Sequence, residues 1–284
     1  MSKVLTNNGI HPADYVVLFC AGTKRVHGKT TNIPPSYLLL TSSNQFWRLV
    51  LNMTNPLICA ESKKCRPFTV IVEGNIGCGK TTFLDYFKKY TNICILSEPI
   101  ELWRNCKGHN LLGHMYSDPK NWSFTFQSYV QLTMLQHHTL PTNFPVKLME
   151  RSIYSARYCF VEKMKRDGLL SKPSATVIDE WFQWLIQNTP INVDLVVYLR
   201  SSPEIVHERI KKRNRSEEMA VPLEYLEQLH HLHEEWLYYK TLYHCPAPVL
   251  TIDANLDISS IAEEYEKCEP HILNKLPLRT SVGL

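Results

Sequence analysis

The stretch that most limits what this chain can become is Gly74-Asn75-Ile76-Gly77-Cys78-Gly79-Lys80-Thr81-Thr82. Its spacing is G-x-x-x-x-G-K-T. Glycines at those places let successive backbone N–H groups curl around phosphate oxygens, and the lysine ammonium reaches the outer phosphates. The threonine hydroxyl suits a magnesium ion, and the start of a helix adds its positive dipole end. The flanks fit such a loop. An apolar run, Phe68 to Glu73, precedes it, and Phe83, Leu84, Phe87 and Tyr90 follow at helical spacing. A site for nucleotide phosphates between a strand and a helix is therefore expected.

From residue 67 onward, strand-like and helix-like patterns alternate. Strands are expected at 68–73, 93–97, 146–149, 194–199 and 248–252. Helices are expected at 80–90, 120–139, 152–167, 176–188, 203–213, 222–240 and 257–268. Short apolar strands alternating with helices predict an α/β domain, a five-stranded parallel sheet with helices on both faces. Ligands of such sheets sit at the carboxyl ends of the strands.

The first 66 residues differ from the rest. They hold eight Lys/Arg and two acids, Asp14 and Glu61, whereas residues 67–284 hold 23 basic and 25 acidic residues. The near-neutral body gives no reason to expect a nucleic-acid partner. Residues 1–66 are expected to form an N-terminal extension, poorly ordered or an import leader, ahead of a catalytic domain at 67–284. The basic, acid-poor and hydroxyl-rich composition leaves mitochondrion and cytoplasm open as compartments. One near-match to the loop, Gly22 to Thr30, has five residues between its glycines instead of four and no evident strand before it. Nine cysteines without a C-x-x-C pair argue against a disulfide framework or a zinc site. No apolar run approaches the ~20 residues of a membrane-spanning helix, so no membrane partner is expected.

Charged residues gather at the predicted strand ends. Glu98 is followed by Pro99, which forces an extended backbone and aims the carboxylate at the crevice. Glu150-Arg151-Ser152 ends the third strand, and a cationic run, Glu208 to Arg215, is closed by Glu217 and Glu218. Individually these could be a helix-start acid, a structural ion pair and a solvated face. Beside a phosphate loop they supply what phosphoryl transfer needs: neutralised charge, an in-line acceptor and a base for the acceptor proton.

The combination of Glu73 to Thr82, Glu98-Pro99 with Trp103-Arg104, Glu150-Arg151-Ser152 with Ser155-Ala156-Arg157-Tyr158, and Arg209 with Arg213, Arg215 and Glu218 resembles the deoxynucleoside kinases. The likeness is greatest to their insect multisubstrate and mitochondrial thymidine branches. It runs from about Pro67 to about Glu266. It implies a P-loop kinase fold with an arginine-rich lid, ATP and Mg²⁺ as cofactors, a deoxynucleoside as small-molecule substrate, and a homodimer. It also implies roles: Glu98 as general base for the 5′-hydroxyl, Arg151 holding that end of the site, and Thr81 with Glu150 on Mg²⁺. Arg209, Arg213 and Arg215 would form the lid, Tyr116 and Glu218 would bind the sugar 3′-hydroxyl, Gln127 the base edge, and Phe160 would stack on the base. Trp103 would line the same pocket. Cys78 departs from the serine or alanine usual in the family.

Gln127, Val130 and Met134 share one helix face, and Ala156 lies one turn from Phe160. Relatives that prefer cytidine resemble an arginine and an aspartate at the positions of Met134 and Ala156. Uncharged residues there leave room for the methyl of thymine, so thymidine and deoxycytidine are expected, and purines more weakly. His230, His231 and His233 invite a metal reading, but Leu226, Leu229, His233, Trp236 and Leu237 follow core spacing. A nucleoside monophosphate kinase would have no use for Glu98 as base. A GTP switch would need an Asn-Lys-x-Asp motif, and Asn274-Lys275-Leu276-Pro277 lacks the acid. A non-catalytic assembly subunit would be expected to have lost Lys80, Glu98 or the lid arginines.

Overall fold

The computed structural model describes residues 66–273, apart from 216, 217, 219 and 220, together with four short strands nearer the start. The chain divides into two units, 1–64 and 65–284. In the first, Val16–Cys20 pairs antiparallel with Ser36–Leu40, and Thr23–Val26 with Lys29–Asn32. The near-match at Gly22–Thr30 therefore does follow a strand, contrary to the sequence reading. It still cannot be a phosphate loop, because it lies on paired strands and opens into another strand instead of a helix. The apolar run at 46–51 lies outside the described residues.

The second unit is built on five strands: β1 (Phe68–Glu73), β2 (Ile93–Leu96), β3 (Val146–Glu150), β4 (Leu195–Arg200) and β5 (Val249–Asp253). Their order is β2-β3-β1-β4-β5, all parallel. Val70, Ile71 and Val72 of the central strand are wholly buried although successive side chains point to opposite faces, so both faces are covered. The register sets Val72 beside Glu150 and Glu73 beside Tyr198, bringing the charged strand ends to one edge.

The helices are α1 (Lys80–Phe87), α2 (Ile100–Arg104), α3 (Leu111–Ser117), α4 (Pro119–Thr139), α5 (153–166), α6 (Lys172–Asn188), α7 (Pro203–Arg213), α8 (Leu223–His233) and α9 (Ile258–Leu273). Helices α2 and α3 are additional to those the periodicity predicts. α6 begins four residues earlier than predicted, because the Ser171 side chain accepts the N–H of Ser174 and Pro173 is tolerated in a first turn. α9 continues past Pro270 because its buried stripe, Ile261, Tyr265, Cys268 and Ile272, runs on. α5 is π-helical over Ala156–Val161, and α8 runs into a π-helical turn at Glu234–Tyr238. No helix among the described residues is long and apolar enough to cross a membrane.

Candidate active site

The loop between β1 and α1 is wedged into the sheet edge. Gly74 has φ of 140°, and a Cβ there would stand 2.6 Å from the Leu199 carbonyl oxygen and 2.8 Å from Cys78 Sγ. Gly77 has φ of 78°, and a Cβ would meet the Val206 carbonyl oxygen at 2.9 Å. Both positions need glycine on steric and conformational grounds. Asn75 turns inward, its Nδ2 donating to Leu226 O at 2.8 Å, so it anchors the loop to α8. Cys78 is buried against Gly74, and Thr82 is exposed. Ile76, Gly77, Lys80 and Thr81 face the cavity above the loop. Lys80 Nζ donates to the carbonyls of Asn75 at 2.8 Å and Gly74 at 3.4 Å.

Around that cavity the strand ends converge. Thr81 Oγ1 donates to Glu150, 3.1 and 3.3 Å from its two carboxylate oxygens, and the Glu98 N–H reaches the same carboxylate at 3.4 Å. A hydroxyl and a carboxylate so close form the hard, all-oxygen pair that Mg²⁺ accepts alongside phosphate oxygens. Arg151 has a left-handed backbone, φ 62°, which a residue with a side chain adopts only where its surroundings enforce it. Its N–H donates to Val72 O at 2.9 Å and its Nη1 to Gly74 O at 3.1 Å. Its Nε lies 2.9 Å from Glu98 Oε1, with the N–H aimed elsewhere, so this contact is an ion pair and not a directional hydrogen bond. The guanidinium also lies 4.7 Å from the centre of the Phe160 ring.

Burial pushes the Glu98 carboxyl above its ordinary range. Arg151 and Lys80 pull it back, and the charge of Glu150 adds to the rise. Glu73, wholly buried just before the loop, is pushed up to about 7 by burial, against the pull of Arg151, Ser152, Ser155 and Lys80. Burial likewise raises the Tyr116 hydroxyl, and that of Tyr225 to about 12.

The cavity encloses about 930 Å³ including its mouth. Trp103, Tyr116, Gln127, Val130, Met134, Ala156 and Phe160, the residues the resemblance assigns to the nucleoside, all line it. Trp103 is fixed by its Nε1–H, which donates to Thr133 Oγ1 at 2.9 Å, and by an edge contact with Phe126. Gln127 is 1 % exposed, and its Oε1 has no partner among the described residues. Ala156 and Phe160 lie on the π-helical part of α5, where an extra residue per turn shifts the faces of the helix. Sequence reading passed over Leu112, Met115, Phe126, Met164 and Tyr225, which complete the apolar wall. Leu112 and Met115 stand on α3, whose seven residues are too few to show a period; Tyr225 lies in the first turn of α8.

The lid divides. Arg213 and Arg215 line the cavity and both pair with Glu218, Arg215 Nη1 at 3.3 Å. Arg209 does not line it. Its guanidinium donates to the carbonyls of Ala254 at 2.7 Å and Leu256 at 2.8 Å, tying α7 to the turn after β5. The histidine run carries no metal cluster among the described residues. His233 is wholly buried, with Nδ1 2.7 Å from the Leu229 carbonyl oxygen.

Comparison with known proteins agrees with this geometry. A family model described as deoxynucleoside kinase matches residues 70–276. The chain is 49 % identical to mitochondrial thymidine kinase 2 of Homo sapiens over 213 residues, covering 75 % of this chain and 80 % of that one. It is 36 % identical to deoxycytidine kinase 1 of Xenopus laevis over 235 residues, covering 72 % and 88 %. To the deoxycytidine kinase of Homo sapiens it is 33 % identical over 244 residues, covering 74 % and 92 %. The chain belongs to the deoxynucleoside kinase family, and it is an enzyme of that kind.

Proposed function

We propose that this enzyme transfers the γ-phosphate of ATP to the 5′-hydroxyl of deoxynucleosides, thymidine and deoxycytidine foremost, giving monophosphates for nucleotide salvage. One observation carries the reading: the Glu98 carboxylate, 2.9 Å from Arg151 Nε, opens onto the same cavity as Lys80 and Thr81. In this scheme the base lies against Phe160 with its edge on Gln127, and the sugar rests on Tyr116 and Glu218. Glu98 accepts the 5′-hydroxyl proton as the oxygen attacks. Arg151 steadies Glu98, and the loop N–H groups with Lys80 hold the β- and γ-phosphates in line. Arg213 and Arg215, forks suited to phosphate oxygens, meet the transferring group. Thr81 and Glu150 would hold Mg²⁺, which would screen the charge of the phosphates. We do not place Arg209 on the transferring phosphate, because its donors are engaged by backbone carbonyls.

The test is Glu98→Gln, which keeps the shape and removes the base. Turnover should fall by ~10²-fold or more, with the KM for ATP little changed. Near-full turnover would overturn the assignment.

The exposed apolar face of α6 supports a homodimer. Val177, Trp181 and Trp184 lie at i, i+4 and i+7, with the two tryptophans 65 % and 58 % exposed. The basic, acid-poor stretch at 1–66 and the mitochondrial relative support action in the mitochondrion over the cytoplasm. Fusion of residues 1–66 to a fluorescent reporter tests this.

A further inference from the structure

Glu73 is a buried acid that the scheme above leaves unused. It ends β1, is 0 % exposed, and its Oε2 has no hydrogen-bond partner among the described residues. Burying a carboxyl without full partners is costly, and an apolar residue would suit a central strand better. Its Oε1 accepts from Ser152 Oγ at 2.5 Å. That serine hydroxyl is fully committed. Its proton goes to Glu73, and its oxygen accepts the N–H groups of Tyr154 and Ser155, both at 3.2 Å. Ser155 Oγ returns the contact by accepting the Ser152 N–H at 3.3 Å, closing a capping box on the first turn of α5.

Arg151 lies between these anchors. The residue on its carboxyl side is tied to Glu73, and its own N–H is tied to the neighbouring Val72 carbonyl. Two adjacent residues at the tip of β1 thus grip the left-handed turn from both ends. A left-handed arginine persists only where the surroundings over-determine it. We propose that Glu73 is a positioning residue for phosphoryl transfer, acting through Ser152 to hold the left-handed turn that places Arg151 against Glu98 and the phosphate loop. This rests on the reading of Arg151 as the group that steadies the reacting end of the site. The link invoked is the hydrogen bond to Ser152, which a neutral isostere can make, and not the attraction between Glu73 and the Arg151 charge.

The experiment measures phosphate transfer from ATP to thymidine and to deoxycytidine by the full chain, with melting temperature recorded for each variant. Glu73→Ala and Ser152→Ala should each lower kcat by ~10- to 100-fold, the scale of a misplacement of about 1 Å, while nucleoside KM moves less than about threefold. Glu73→Gln, whose amide oxygen still accepts from Ser152, should restore kcat to within about threefold of the parent. In an Arg151→Ala background, Glu73→Ala should change kcat by less than about twofold, because the group it positions is gone. If Glu73→Ala does not fold, Ser152→Ala and the glutamine variant carry the test. Loss in Glu73→Gln equal to that in Glu73→Ala, or a full additive loss on top of Arg151→Ala, overturns the proposal and leaves the role of Arg151 standing. An Arg151→Ala enzyme with parental kcat removes that role, and the proposal with it.

Discussion

Met134 and Ala156, 1 % and 3 % exposed, both line the cavity, and neither carries a charge. Introducing Met134→Arg with Ala156→Asp would add two buried charges of opposite sign to that lining. Thymidine kcat/KM should then fall by ~10-fold or more, the scale on which a pocket discriminates one methyl group, while deoxycytidine is retained. A panel of four deoxynucleosides checks this, and unchanged thymidine turnover refutes the pocket. Glu98 sets a second expectation. Burial raises its pKa, so it takes up its proton at a higher pH than an ordinary glutamate near ~4.3. As base it acts only when ionised, so kcat/KM should fall as pH drops through that raised value, and the fall should vanish in Glu98→Gln. At this scale much was legible. Glu98 was readable because Pro99 fixes its backbone, and Lys80 and Thr81 because the loop spacing fixes theirs. Arg209 was not: it stands in one cationic run with Arg213 and Arg215, and only carbonyls 45 residues further along the chain separate it from them.

Among the elements, α6 carries the next prediction. Its inner face, Ala175, Ile178, Phe182 and Leu185, is buried, while Trp181 and Trp184 stand outside. Covering two large aromatic rings is a strong drive for self-association. If the proposed dimer forms through this face, the parent should sediment at twice the mass of Trp181→Asp with Trp184→Asp, which should give a species of 33.0 kDa in analytical ultracentrifugation. A parent that sediments at that mass removes the interface. The long helices were legible because three or more turns give a period to read. α2 and α3, five and seven residues long, were not, although α3 carries Leu112, Met115 and Tyr116 into the cavity. The π-helical segment of α5 was also hidden, since an inserted residue keeps the apolar composition and changes only the phase.

For the molecule as a whole, two buried histidines weaken the fold in acid. His138 and His233 are buried, and burial lowers both to about 3 from 6.5; Lys147 adds to the effect at His138, and Arg151 at His233. At these two sites the unfolded chain binds more protons than the folded one between pH 6.5 and about 3, so they cost stability as pH falls through that window. Glu73, raised to about 7, keeps its proton in the folded chain and offsets part of that loss between about pH 7 and 4.5. Between pH 7 and 5 each histidine can withdraw about 2 kcal/mol, an upper figure from proton linkage alone. Between pH 7 and 5 the urea midpoint of His138→Gln should lose less, or gain more, than that of the parent, by the share His138 contributes; equal pH dependence in the two refutes it. The parallel sheet was readable from the alternation of patterns, but its order was not, because the first strand of the domain lies at the centre and pairs with strands that follow much later. That order has a consequence for the chain as it is made. Gly74 rests on the backbone of Leu199, so a nascent polypeptide halted before residue 199 would carry the whole anion-binding motif and yet lack the ledge that shapes it. The shape of that motif would then be completed only late in synthesis.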